Sequence, residues 1–239
     1  MPFSKYQATV TEIRQETPRV KTFKVTWPGI ENFSFIPGQF MQLSVPGFLN
    51  QAGITMKRSY SIASSPLDKG FVEFTITYKT PHGLSARTHA LKVGDIVQVE
   101  GPAGVFNLKR PVRDNITFVA SGSGISSLRA MFKQLLQEGH PGNIWVVFGF
   151  HAQEDFIFRQ ELEELQRKHP NFKVIPSITV DDPSWTGERG RVTAVLPKVI
   201  TDAASRDYYL CGSAQMVEDT IKVLTEMGVP RHQIFREVW

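Results

Sequence analysis

Cysteine is the scarcest residue type here: Cys211 is the one cysteine in 239 residues. An internal disulfide is therefore excluded, and so are an iron–sulfur cluster on four cysteines of this chain and a zinc site built from cysteines. No apolar run is long enough to span a bilayer. The first residues, Met1-Pro2-Phe3-Ser4-Lys5, lack the charged-then-apolar layout of a secretory leader. No block of Lys and Arg stands out. With a formal net charge of +4 and a pI near 9.2, the chain shows no nucleic-acid signature, and a diffuse preference for an acidic partner fits equally well. The six histidines (His82, His89, His140, His151, His169, His232) show no metal-ligand spacing. A Ser/His/Asp hydrolase context is missing too, and the paired Glu163-Glu164 fall on a helix face expected to be solvated. Internal repeats and low-complexity segments are absent. These absences point to a soluble cytoplasmic protein without nucleic-acid binding or membrane insertion.

What is present is an ordinary globular composition, 41% hydrophobic and 21% charged, in a chain long enough for two modest domains. From Tyr6 to about Gly101 the pattern is one of short runs rich in Val, Ile, Thr and aromatics, separated by Gly, Pro and Asn. Tyr6–Ile13, Val20–Trp27, Phe40–Val45, Met56–Ala63, Phe71–Tyr78 and Ile96–Glu100 are the expected strands. Six short strands with frequent turns predict an antiparallel barrel or sandwich. The run after Gly83 is expected to form a single short helix. Beyond Pro111 the period changes. Strands at Ile116–Ala120, Asn143–Phe150, Phe172–Thr179, Asp207–Leu210 and Ile234–Arg236 alternate with helices near Ser126–Glu138, Arg159–Lys168, Thr193–Val199 and Ala214–Met227. That alternation predicts a parallel sheet covered on both faces. Lys109-Arg110-Pro111-Val112-Arg113 interrupts both patterns, so the expected division is a β-barrel domain over 1–110 and an α/β domain over 111–239.

Four stretches carry the chemistry. In Arg58-Ser59-Tyr60-Ser61 the strand alternation sends Arg58 and Tyr60 to one side and Ser59 and Ser61 to the other. A forked cation, a flat aromatic and two small hydroxyls at a strand end suit a ligand that is planar at one end and anionic at the other. Gly83-Leu84-Ser85 opens the short helix, and the free N–H groups of such a start suit a phosphate. Gly122-Ser123-Gly124-Ile125 lies between a buried strand and a helix, the setting that a dinucleotide loop needs. It continues Ser126-Ser127, giving G-x-G-x-x-S in place of a strict G-x-G-x-x-G, and both serines are expected to cap the helix. Cys211-Gly212-Ser213 ends a late strand and starts a helix, which places it at a ligand-binding sheet edge. Phe150-His151 and Asp181-Asp182 follow two successive strands. Carboxylates there favour free ribose hydroxyls, so Asp181 leans the donor towards NADH, with Arg189 and Arg191 near enough to oppose it.

The R-x-Y-S run resembles the flavin-binding signature of the ferredoxin-NADP reductase superfamily. Pro37-Gly38-Gln39-Phe40, Gly83-Leu84-Ser85, Gly94-Asp95, Gly122-Ser123-Gly124-Ile125 and Cys211-Gly212-Ser213 follow in the family's order, so the resemblance covers nearly the whole chain. It implies a flavin-binding barrel followed by a nicotinamide-binding α/β domain. It further implies that Arg58 and Gly83-Leu84-Ser85 hold the flavin pyrophosphate, which favours FAD. Ser61 matches the residue beside flavin N5, Tyr60 the aromatic packed on the isoalloxazine, and the Cys211-Gly212 pair lines the nicotinamide position without forming a covalent intermediate. Phe40 is expected in the barrel core. Ser213 departs from the family's usual Pro. A terminal aromatic, here Trp239, covers the flavin in similar chains. The expected activity is a monomeric FAD-dependent NADH or NADPH oxidoreductase passing electrons to a separate ferredoxin, flavodoxin or oxygenase component. A reductase of diffusible flavin and a flavin-binding subunit of a larger redox complex are the alternatives.

Overall fold

The computed structural model describes residues 4–238, which pack as two units. One is Met1–Leu108 together with Arg129–Gln134, and the other is Lys109–Leu128 with Leu135–Trp239.

The first unit is built on six antiparallel strands, β1 (Ser4–Thr17), β2 (Val20–Thr26), β3 (Phe40–Ser44), β4 (Arg58–Ser61), β5 (Val72–Thr77) and β6 (Ile96–Ala103), in the order β4-β3-β6-β1-β2-β5. Alternate residues of these strands face one core, where Phe23, Val25, Met41, Leu43, Phe74, Ile76, Val97 and Val99 are buried together. The two edge strands approach each other where Ile62 bridges Phe74 of β5 and Ala63 N–H donates to the Glu73 carbonyl at 2.8 Å, which closes the sheet towards a barrel. Strand β1 runs well past the expected Ile13, because register shifts between Val10 and Glu12 and between Gln15 and Thr17 bend it without breaking its pairing to β2. A six-residue helix, α1 (Leu84–His89), lies between β5 and β6. Phe40 departs from expectation. It is half-buried beside Gly104, while its neighbour Met41 takes the core position, as the two-residue period of β3 requires.

The second unit is an all-parallel sheet in the order β10-β9-β8-β7-β11-β12. Its strands are β7 (Asn115–Ser121), β8 (Ile144–Phe150), β9 (Phe172–Ile178), β10 (Glu188–Arg189), β11 (Arg206–Gly212) and β12 (Ile234–Val238). Helices α2 (Ile125–Gln137), α3 (Arg159–Lys168), α4 (Val192–Val199) and α5 (Ala214–Glu226) connect them. The two-residue β10 is an addition to the expected set, too short to leave a period in the sequence. The inner strand β8 reads as a near-continuous apolar run because it is buried along almost its whole length. The strand order reverses between β7 and β11. That switch point is where open α/β sheets bind ligands, outside the carboxyl ends of the strands. No helix among the described residues is long and apolar enough to cross a membrane.

Candidate functional site

Strand β4 pairs on one side with β3, setting Arg58 opposite Leu43, Ser59 opposite Gln42, Tyr60 opposite Met41 and Ser61 opposite Phe40. Its other edge has no named strand beside it, so its side chains stand at the margin of the sheet. Arg58 is exposed, its Nη1 donates to the Lys57 carbonyl at 2.8 Å, and it has no carboxylate partner among the described residues. Tyr60 packs half-buried on the barrel core, and burial raises its phenol pKa against the opposing charge of Arg58. Ser59 is exposed and Ser61 half-buried. A cation, a flat ring and hydroxyls without partners among the described residues form a donor set that fits a phosphate-bearing planar group.

Gly83 is the N-cap of α1. A Cβ there would lie 2.7 Å from Thr80 Oγ1, so a side chain at this bend would have to turn the Thr80 hydroxyl aside. Leu84 points into the core, and Ser85 Oγ accepts the Lys79 N–H at 3.1 Å. Gly83 N–H donates to the Thr80 carbonyl at 3.4 Å and Ala86 N–H to the Gly83 carbonyl at 3.1 Å, so the N–H groups of Leu84 and Ser85 are what this stretch offers a ligand.

At the switch point of the second unit, Gly122 takes φ +51 and opens a single 3-10 turn, Gly122–Gly124, that runs into α2. A Cβ on Gly124 would stand 2.3 Å from the Cys211 carbonyl oxygen, and one on Gly212 would stand 2.3 Å from Ser121 Oγ. The backbone contact makes Gly124 necessary where the β7–α2 turn meets β11, while a side chain at Gly212 would have to displace those of Ser121 and Met216. Ser213 caps α5, its Oγ accepting the Met216 N–H at 3.3 Å, which explains why Ser can replace Pro there. Ser126 and Ser127 do not cap α2 as expected. They lie inside its first turn, where Ser127 Oγ donates to the Gly124 carbonyl at 3.3 Å. Ser126 Oγ is buried with no hydrogen-bond partner among the described residues, an open polar group behind a loop of the kind that receives a pyrophosphate. This loop therefore fits a dinucleotide.

Beside it stands a residue that motif reasoning missed. Glu237 of β12 pairs with Cys211 of β11, Sγ to Oε2 being 3.9 Å. Burial pushes the Glu237 carboxyl up to about 7, with the Cys211 contact working against it. Burial likewise pushes the Cys211 thiol up to about 12, opposed by a hydrogen bond from Ser127 and reinforced by Glu237. A thiol so placed stays protonated and is a poor nucleophile. No sequence signal marks Glu237, because it needs the β11–β12 register. Trp239, the terminal aromatic expected at the flavin, lies outside the described residues.

At the ends of β8 and β9, His151 Nδ1 lies 3.2 Å from Thr179 Oγ1. Gln153 Nε2 donates to Asp182 Oδ2 at 2.7 Å, and Ser184 donates to Asp182 Oδ1, so these bonds hold the Asp182 pKa down. The Asp181 side chain is almost fully exposed, with Arg189 Nη1 at 3.6 Å from Oδ1. Arg189 Nη2 donates to the carbonyls of Asp182 at 2.6 Å and Trp185 at 3.0 Å.

A closed antiparallel β unit with an open cationic strand, and an all-parallel unit with a glycine loop at its switch point, define a flavin- and nicotinamide-dependent oxidoreductase. Residues 7–108 match the oxidoreductase FAD-binding domain, and residues 118–222 match the oxidoreductase NAD-binding domain. The chain is 29% identical to ferredoxin--NADP reductase B of Sorangium cellulosum, over 97% of this chain and 96% of that one. It is 30% identical to sulfhydrogenase 1 subunit gamma of Pyrococcus furiosus, over 98% of this chain and 79% of the relative. The solved structure of the ferredoxin reductase in carbazole 1,9a-dioxygenase superposes with a TM-score of 0.85 at 25% identity, over 100% of this chain and 70% of that one. The chain spans about two thirds of the phenol hydroxylase P5 protein of Acinetobacter pittii and of the phenol 2-monooxygenase reductase component DmpP of Pseudomonas sp., which it also matches. It belongs to the ferredoxin-NADP reductase superfamily.

Proposed function

We propose that this chain is an FAD-dependent NAD(P)H oxidoreductase that delivers electrons to a separate protein, with residues 1–110 holding FAD and residues 111–239 holding the nicotinamide nucleotide. Bound FAD supplies the conversion of a two-electron hydride donor into single-electron delivery. Arg58 gives a forked donor to the flavin phosphates, joined at the Gly83-Leu84-Ser85 turn by the N–H groups of Leu84 and Ser85. Tyr60 offers a ring face to the flavin, Ser59 a hydroxyl beside it, and Ser61 a hydroxyl at the reacting edge. The turn of Gly122, Ser123 and Gly124, followed by Ile125, presents backbone N–H groups to the pyrophosphate of the donor. Cys211 and Gly212 shape the nicotinamide position, and Glu237 lies beside them with its carboxyl raised by burial to about 7.

The observation that carries this proposal is the meeting of the Gly122–Gly124 and Cys211–Ser213 turns at the switch point of a parallel sheet, in a chain whose other unit displays the open donors of β4. Relatives named as reductase or electron transfer components of oxygenases support a protein acceptor such as a ferredoxin, a flavodoxin or an oxygenase component. NADH is the favoured donor. Asp182 is held as a carboxylate, with Asp181 beside it, while Arg189 is already engaged by Asp181 and by backbone carbonyls of its own loop.

Purified protein should be yellow, keep FAD through gel filtration, and bleach when NADH is added without oxygen. Loss of flavin on the column, with turnover of added free flavin, would instead mark a reductase of diffusible flavin. A yellow protein that NADH and NADPH both fail to bleach would mark a flavin-binding subunit.

A further inference from the structure

Glu73 lies on β5 and is 2% exposed, where a lone carboxylate would be strongly unfavourable. Two guanidinium groups take its oxygens. Arg14 of β1 stands 2.7 Å from one and Arg129 stands 2.6 Å from the other. Arg129 is 3% exposed and groups with the barrel unit by packing, although it lies inside the NAD-binding match at 118–222. Its Nη1 makes a second bond, to the carbonyl oxygen of Ala63 at 2.8 Å.

Ala63 is two residues past Ser61, on the segment by which β4 leaves the sheet edge. On its other side this segment is fastened to β5. Ala63 N–H donates to the Glu73 carbonyl at 2.8 Å, Ser64 Oγ accepts the Glu73 N–H at 3.2 Å, and Ile62 bridges Phe74. The Arg14–Glu73–Arg129 group thus closes a ring around the exit of the strand that displays Arg58, Tyr60 and Ser61.

Stability alone does not account for the arrangement, because well-packed apolar residues replace buried ion pairs at little or no cost. What an apolar residue cannot do is hold a backbone carbonyl in one place. A rigid fork, itself fixed by a carboxylate, does so. We propose that Arg129 is a positioning residue for the flavin: through Ala63 it fixes the direction in which β4 presents Ser61 and its neighbours. The proposal rests on the assignment of β4 to the flavin. It makes flavin binding depend on a residue outside the FAD-binding match at 7–108.

The test uses full-length protein stripped of flavin and titrated back with FAD, followed by flavin fluorescence and visible circular dichroism. Arg129→Lys keeps the buried charge and loses the fork. Arg129→Met with Glu73→Gln removes both charges of the pair, and Arg14 keeps its other carboxylate partner, Glu12, at 2.9 Å. Both should keep the wild-type far-UV spectrum. Their FAD Kd should rise at least tenfold, with an altered visible dichroism of bound flavin, while the NAD⁺ Kd measured by calorimetry stays within twofold of wild type. Wild-type FAD Kd and dichroism in both variants would overturn the proposal, as would a change confined to NAD⁺. Arg58→Ala and Ser61→Ala serve as the separate arm. If neither alters FAD affinity or the flavin spectrum, the assignment of β4 itself fails, and the role of Arg129 fails with it.

Discussion

Cys211 and Glu237 occupy paired positions on the parallel strands β11 and β12, with the thiol sulfur 3.9 Å from a carboxylate oxygen. Burial raises both groups, the thiol to about 12 and the carboxyl to about 7. At neutral pH the thiol keeps its proton, and Glu237 is the member of the pair whose charge changes.

That asymmetry gives a signed dependence of stability on pH. The folded state favours protonated Glu237, so its contribution is complete below the ordinary carboxyl value of 4.5 and is lost as pH rises through about 7. The melting temperature of wild-type protein should therefore fall between pH 5.5 and 8 more steeply than that of Glu237→Gln. Identical slopes in the two proteins would show that the carboxyl titrates as an exposed group does.

Replacing Arg58 with Ala should weaken FAD binding by about 1.5–3 kcal/mol, the range for a hydrogen bond to a charged group. The fold should be unaffected, since Arg58 is exposed and its hydrogen bond is to the carbonyl of the adjacent Lys57. FAD affinity equal to wild type by fluorescence titration would remove Arg58 from the phosphate site.

The positions of these groups were unequally legible in the sequence. Strands β2, β5, β7, β8 and β9 announce themselves through apolar periods and turn residues, and the glycine turns through their spacing. Phe40 was misjudged because a strand's two faces differ by one residue, and Met41 takes the inward one. Ser126 and Ser127 looked like caps because the 3-10 turn that feeds α2 leaves no trace in composition. Glu237, Glu73 and Arg129 were invisible for a common reason. Each owes its character to a partner distant in the chain, Arg129 and Glu73 being 56 residues apart and Cys211 and Glu237 26 apart. Local patterns encode elements, whereas buried charge depends on which elements meet.

Ser61→Ala separates binding from reaction. FAD should stay bound, because Arg58 and the helix-start N–H groups remain. Reduction of bound flavin in a single turnover with NADH should slow by about 10-fold or more, corresponding to roughly 1.4 kcal/mol or more for a lost hydrogen bond at the reacting edge. A stopped-flow rate equal to wild type would move Ser61 out of that role.

The last prediction concerns the choice of donor. Asp182 is fixed as a carboxylate by Gln153 and Ser184, and the exposed Asp181 adds a second negative charge at the end of β9. Arg189, the cation that could offset them, has Nη1 3.6 Å from Asp181 and donates Nη2 to the carbonyls of Asp182 and Trp185, so it is already engaged within the loop. A 2′-phosphate entering this loop meets like charges on Asp181 and Asp182, which disfavour it. The ratio of kcat/KM for NADH over NADPH should therefore exceed unity. Asp182→Ser should narrow the ratio chiefly by improving NADPH, while Arg189→Ala should loosen the loop and raise KM for both donors. Steady-state kinetics of the three proteins with each donor decides the matter: a wild-type preference for NADPH, abolished in Arg189→Ala, would mean that Arg189 leaves its carbonyls to take the phosphate.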